Sequence, residues 1–343
     1  AIVALLGVLR AGMIAAPLPL LWREREIVGA LGRVGAKALV TSSRIGGYAH
    51  AEIAMQAAAA LFPIRHVCAF GGHLPDGVAP LDGIFTPAQP AAMQPYVRTG
   101  NPAAHAAVMT FDIGSDGVEP VLRHHAQLIA AGRAVIAECA LADDPRLLST
   151  IPPSSFAGIA ATLLPWLLSG GTLSLHHAFD PPSFAAQSRA QDTVVLPGPI
   201  LGPLAQAGHL GDVQSILALW RAPAPAGPAW QGPARLIEVT SFSEASLHAR
   251  RADASPRPVA RAEAAAARLV GIGGYRFRQS EIEAQVAGID PGATIVALPD
   301  ALLGQRLAGS ASERDAVRAE LQARGVNPLI AGAFCPRARP DAT

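Results

Sequence analysis

A chain of 343 residues, half of them hydrophobic and 15% charged, can bury one large core or two ordinary ones and is too apolar to be disordered. Its formal net charge of +1 argues against a broad electrostatic footprint for nucleic acid or an anionic membrane surface. Three widely spaced cysteines, Cys68, Cys139 and Cys335, form neither a CxxC pair nor a zinc spacing, which points to a reducing, cytoplasmic compartment.

In chain order, residues 1–11 read as a helix, 13–17 as a short strand and 24–34 as a helix after a proline-rich turn. Residues 36–42 (AKALVTS) read as a buried strand, AEIAMQAAAALF as a helix and RHVCAF as a strand. Residues 75–104 lack periodicity. Residues 105–111 (HAAVMTF) are a strand, HAQLIAAGRAVIAECAL a long helix, LLSTIP a strand, FAGIAATLLPWLLSG a helix and GTLSLH a strand. TVVLPG (193–198) and ARLIEVTS (234–241) are further strands with helical material between. Strands alternating with helices imply mainly parallel sheets covered on both faces, with ligands bound beyond the carboxyl ends of the strands. Residues 1–22 contain Arg10 and Pro17, and 157–175 are broken by Pro165 and Gly170-Gly171, so neither is the uninterrupted run of about 20 apolar residues that a membrane span needs.

Residues 251–267 read as a linker. A smaller unit follows, with a hairpin in RLVGIGGYRF, a helix capped by Ser280 with Glu283 at the box position, a strand in ATIVALPD and a helix with another serine-to-acid start. Gly271-Ile272-Gly273-Gly274 has no helix behind it and reads as a turn rather than a dinucleotide fingerprint. His124-His125 and His176-His177 lack partners at metal spacing and read as solvated or capping histidines.

The segment FDIGSDGVEPVLRHHAQLIAAG, residues 111–132, places Gly114-Ser115-Asp116-Gly117 between an apolar run and a helical pattern. It reads as a phosphate-binding loop running into a helix, or as an ordinary strand-to-helix turn. No lysine follows it, and Lys37 is the only lysine in the chain.

Together with LLGVLRAGMIAAPLPLLWREREIVGALGRVGAKALVTSS, STIPPSSFAGIAATLLPWLLSGGTLSL, LIEVTSFSEASLHARR and VGIGGYRFRQSEIEAQV, this segment resembles the adenylate-forming superfamily of acyl-CoA synthetases, aryl-CoA ligases and adenylation domains. The motifs occur in the family's order across nearly the whole chain. The resemblance implies a large α/β domain over 1–250 lacking its usual N-terminal start, a linker over 251–267 and a small, incomplete α+β domain over 268–343. It implies ATP-dependent activation of a small-molecule carboxylate, with coenzyme A or the phosphopantetheine of an acyl carrier protein as acceptor and no nucleic-acid partner. Ser243 and Glu244 match the residues that approach phosphate and magnesium, with Glu244 either the Mg2+ ligand or a helix-capping acid. Thr110, Gly114, Ser115, Gly117 and Arg123 match the nucleotide site, and Phe156 and Gly158 the wall of the acyl pocket.

The departures are chemical. The family loop reads Thr-Ser-Gly-Ser/Thr-Thr-Gly followed by Pro-Lys, whereas here Asp112 and Asp116 enter and the lysine is lost, leaving Arg123 as a compensating cation. An acid about 4 Å from a phosphate costs on the order of 4 kcal/mol at an effective dielectric near 20. No Thr-Gly-Asp occurs between Arg251 and Arg268, and the C-terminal lysine is missing, with Arg337 or Arg339 in its region. The expectation is therefore an impaired ligase or a non-catalytic acyl-binding or scaffold relative, with Ser115, Gly117, Ser243 and Glu244 converging on one cleft.

Overall fold

The computed structural model describes residues 1–85, 96–97, 99–114, 117–177, 179–222, 230–253 and 269–336. Its strands, in chain order, are β1 (Ala38–Ser42), β2 (His66–Phe70), β3 (Val78–Pro80), β4 (Ala106–Gly114), β5 (Gly117–His124), β6 (Arg146–Ser149), β7 (Thr172–Leu175), β8 (Thr193–Pro197), β9 (Ser215–Arg221), β10 (Arg235–Phe242), β11 (Ser246–Arg251), β12 (Leu269–Ile272), β13 (Tyr275–Arg278), β14 (Thr294–Asp300) and β15 (Gly304–Ser310). The mixed α/β class with parallel sheets expected from the sequence is what is found.

Two compact units are each assembled from separated stretches. The first takes Ala1–Pro19, Ile84–Asp112 and Pro120–Glu263; the second takes Leu20–Gly83, Ile113–Glu119 and Ala264–Thr343. The division into 1–250, a linker over 251–267 and 268–343 is a proposal about chain order, and most of that linker lies outside the described residues.

The first unit is built on a six-stranded sheet of order β11-β10-β9-β8-β6-β7, parallel except for β11. Its central strands are apolar on both faces. Val194, Leu196, Ile216 and Ala218 point into one core with Leu148, Phe184 and Leu236. Val195, Leu217, Ile237 and Val239 point into the other, against Val135, Cys139 and Ala161. This explains why these strands read as continuous apolar runs instead of alternating ones. Within the second unit, β1-β2-β3 form a parallel sheet under helix His50–Ala60, on which helix Glu24–Val34 packs; β1, read from the sequence as a buried strand, has no fully buried residue. The antiparallel sheet β13-β12-β15-β14 shares a core with helices Gln279–Ala287 and Arg314–Ala323.

Several expectations are corrected. Residues 215–221, read as helical material, form β9 inside the sheet. Residues 13–17 make a single bridge, Ala15 with Val108, in place of a strand. The chain after Gly117 is not a helix: Gly117–His124 is β5, paired with β4, and helix His125–Cys139 starts only afterwards. Pro120 has no N–H and cannot sit inside a helix, while Val118, Val121 and Leu122 suit an extended chain. Neither serine cap forms in the small unit. The helix cap positions fall on Arg278 and Glu313, and Ser280 lies inside its helix. His176 is buried, not solvated; its Nε2 accepts the Asp180 N–H at 3.1 Å, and its Nδ1 meets Gln187.

Leu148, on β6, is fully buried between β8 and Phe184. Leu148→Ala is expected to destabilise the chain by about 2–5 kcal/mol, read as a lower urea midpoint with an unchanged slope.

Candidate active site

The carboxyl ends of β4, β9 and β10 carry a cluster of charged side chains, all within the first unit. Asp112, near the end of β4, accepts Arg221 Nη2 on Oδ1 at 2.7 Å. Its other oxygen, Oδ2, accepts the backbone N–H of Glu244 at 3.1 Å. Arg221 is the last residue of β9, and Glu244 lies in the short turn joining β10 to β11. Ser243, in the same turn, is held at φ +55°, a left-handed backbone that costs a serine about 1–3 kcal/mol and is kept only where its surroundings impose it.

Glu244 is 4% exposed. Its Oε2 accepts the N–H of Phe156, the first residue of the helical segment over 156–169, at 2.7 Å. Ser155 Oγ accepts the Gly158 N–H at 3.1 Å. Two donors that a helix start leaves without partners are thus satisfied, one locally and one from a strand end far away in sequence. The segment continues through a π turn at Ile159–Leu163 before Pro165, whose ring and missing N–H the wider turn accommodates. Glu244 thus caps the start of this helical segment.

Arg123, on β5, lies over the Phe156 ring, with Cζ 3.6 Å from its centroid. It donates through Nη2 to the backbone carbonyls of Glu244 and Ala245. It holds the turn. Burial pulls Arg123 below the usual arginine range, and Glu244 opposes that shift. The Glu244 carboxyl is raised above 4.5, chiefly by burial and also by Asp112; the Phe156 N–H, Thr110 and Arg221 pull the other way. Thr110 is buried beside this carboxyl.

The structure therefore gathers Thr110, Arg123, Phe156, Ser243 and Glu244 in one unit, while Gly114 and Gly117 belong to the second. Ser115 and Asp116 lie outside the described residues, as do Arg337 and Arg339, so the expected convergence on Ser115 does. Gly114 and Gly117 end β4 and begin β5. A Cβ on Gly114 would strike the Glu119 carboxylate at 2.0 Å, and Gly117 sits at φ +107°, where only glycine is unstrained. A Cβ on Gly117 would stand 3.5 Å from Arg33 Nη2 and 3.7 Å from Arg278 Nη2, so this end of the hairpin has cations that the local sequence lacks. Phe156 and Gly158 are both buried.

Two acids predicted to matter have different neighbours from those expected. Asp112 does not present its charge to an incoming phosphate; it is spent on Arg221 and on the Glu244 N–H. Sequence reading missed Arg221 because β9 was missed; the apolar run SILALW ending in an arginine was the available signal. Glu244 is the one carboxylate that the family resemblance assigns to Mg2+, an ion that takes one or two protein carboxylates and fills its shell with phosphate and water. Glu244 is buried with one oxygen on a helix N-terminus, and two arginines flank it. Among the described residues, no group of three or more His, Cys, Asp or Glu is placed to hold a metal.

These contacts fix the sign of a pH effect. With the folded pKa of Glu244 above its ordinary 4.5, the protonated carboxyl stabilises the fold fully below about pH 4.5, and that contribution is lost as pH rises through the folded value. Glu244→Gln keeps an acceptor for the Phe156 N–H without the charge. It is expected to match or exceed the parent's stability at neutral pH and to flatten this part of the melting-temperature profile. Glu244→Ala orphans that N–H and is expected to cost about 1–3 kcal/mol in urea denaturation.

The sequence pattern of the family described as AMP-binding enzyme matches residues 1–198. No curated protein sequence gives a significant match. Among solved structures, a malonyl-CoA ligase with methylmalonyl-CoA and AMP bound superposes with a TM-score of 0.69 at 15% identity, covering 95% of this chain and 85% of that one. The amide bond synthetase McbA from Marinactinospora thermotolerans gives 0.70 at 15% identity, covering 95% and 81%. Apo MbtA from Mycobacterium smegmatis gives 0.57 at 18% identity, covering 95% and 77%. Identities this low speak to the fold alone, and the fold agrees with the sequence match over more than half of the chain: this protein belongs to the AMP-binding enzyme family.

Proposed function

We propose that the chain is an ATP-dependent carboxylate-activating ligase of acyl- or aryl-CoA synthetase type whose adenylation step is impaired. In such a reaction a carboxylate oxygen attacks the α-phosphorus of ATP and pyrophosphate leaves. A thiol sulfur then attacks the acyl carbonyl and AMP leaves, giving a thioester. The acceptor proposed is coenzyme A or the phosphopantetheine of an acyl carrier protein, in the cytoplasm. The malonyl-CoA ligase, with methylmalonyl-CoA and AMP bound, supports this class. Gly114, Ser115 and Gly117 are proposed to meet the phosphates, Ser243 to lie beside them, and Phe156 and Gly158 to wall an apolar acyl pocket.

The observation that carries the impaired reading is the Asp112–Arg221 pair. Adenylation depends on preorganised positive charge around phosphates. Here the guanidinium at the carboxyl end of β9 already holds a carboxylate 2.7 Å away. The loop has no lysine, and no aspartate in a Thr-Gly-Asp setting follows β11. Losing one charge-stabilising contact typically lowers a rate by about 10²–10³-fold, although coupled residues need not add. The same pair favours, as a second reading, a non-catalytic acyl-binding or scaffold relative.

Pyrophosphate–ATP exchange with a panel of fatty and aromatic acids tests the proposal. Acid-dependent exchange is expected at a rate more than about 10²-fold below that of an intact family member. Rapid exchange would remove the impairment. Absence of exchange together with absence of ATP binding by calorimetry would leave the non-catalytic reading.

A further inference from the structure

The surroundings of Asp112 are those of a bound anion. Its carboxylate is met by a guanidinium N–H at 2.7 Å and by a backbone N–H at 3.1 Å, one on each oxygen. Asp112 is 9% exposed. The donors come from two other strand ends, β9 and the turn after β10, at the carboxyl edge where open α/β sheets take up ligands. Thr110, buried beside the Glu244 carboxyl, lies in the same cluster. The neighbouring edge is also filled. A Cβ on Gly198, just beyond β8, would fall 2.1 Å from Cε2 of Trp220, so the indole lies directly on that backbone. Trp220 and Arg221, consecutive residues, thus cover the ends of two strands.

We propose that Arg221 and the Glu244 N–H form an anion-binding site for a carboxylate or phosphate group, and that Asp112 occupies it as a built-in ligand. An external anion gains this site only by displacing Asp112. The Glu244 carboxyl interacts with both Asp112 and Arg221, and its burial favours its neutral form, which lessens repulsion of whatever anion the site holds. The site's location rests on its own geometry; only the identity of its natural anion rests on the ligase reading.

Asp112→Ala removes one carboxylate, and formate restores one. The full-length variant is expected to melt below the parent, to recover in formate but not in chloride of equal ionic strength, and to lose that recovery in Asp112→Ala/Arg221→Gln. The parent is expected to gain nothing from formate. ATP and inorganic phosphate are expected to bind Asp112→Ala at least about tenfold more tightly than the parent. If the variant does not fold in plain buffer, refolding yield with and without formate is the readout, and no recovery in formate overturns the proposal. Equal ATP affinity in parent and variant would overturn self-occupancy while leaving the ligase reading intact. Arg221-dependent rescue by formate with no ATP binding to either protein would leave the anion site standing and remove the ligase reading.

Discussion

One carboxylate ties together three strand ends that the sequence places far apart. Asp112 on β4 reaches Arg221 on β9 and the backbone of Glu244 beyond β10. Glu244 then passes the connection on, through its own carboxylate, to the start of the helical segment at Phe156. Arg123 closes the arrangement from β5 by holding the carbonyls of the same turn and stacking on Phe156. Each member satisfies a polar group that burial would otherwise leave at a cost of about 1–3 kcal/mol. The cluster is therefore worth more as a set than any one contact suggests.

An ion pair in this position is not cheap. The Arg221 and Asp112 side chains are 25% and 12% exposed, so both give up most of their hydration. Taking a charge from water costs several kcal/mol, and attraction between partners repays it only when the remaining hydrogen bonds are also made. On the Asp112 side the second carboxylate oxygen takes the Glu244 N–H. A family site built for nucleotide chemistry would direct such charges outward, at a ligand. In this chain they are directed at one another, which joins the fold of the AMP-binding enzymes to a proposal of weak activation.

The loop between β4 and β5 adds a second contrast. Its glycines meet geometric demands: a carboxylate packs where a Gly114 side chain would be, and Gly117 adopts a positive φ. Its cations come from elsewhere in the fold, with Arg33 from helix Glu24–Val34 and Arg278 from β13. A local reading counts only the missing lysine, whereas the folded chain brings guanidiniums from segments about 80 and 160 positions away.

Much was legible in the residues themselves. Apolar runs bounded by Gly and Pro marked β1, β2, β6, β7, β8 and β10; β6 and β8 need no alternation because both of their faces are buried, whereas β1 and β7 carry no fully buried residue. The helices at 24–34 and 125–139 followed from period and composition, and the order of motifs pointed to the family. The sequence by itself thus determined the α/β class, the parallel strands and the absence of the usual loop lysine. What only the tertiary structure decided was partnership. SILALWR has no periodicity to separate a central strand from a buried helix, so Arg221 had no assigned place. Asp112 was read against a phosphate because charge repulsion is all that a one-dimensional reading can compute. Which cation stands 2.7 Å from it depends on how the β4-β5 pair meets the end of β9 in the six-stranded sheet, a tertiary contact that no local propensity sets.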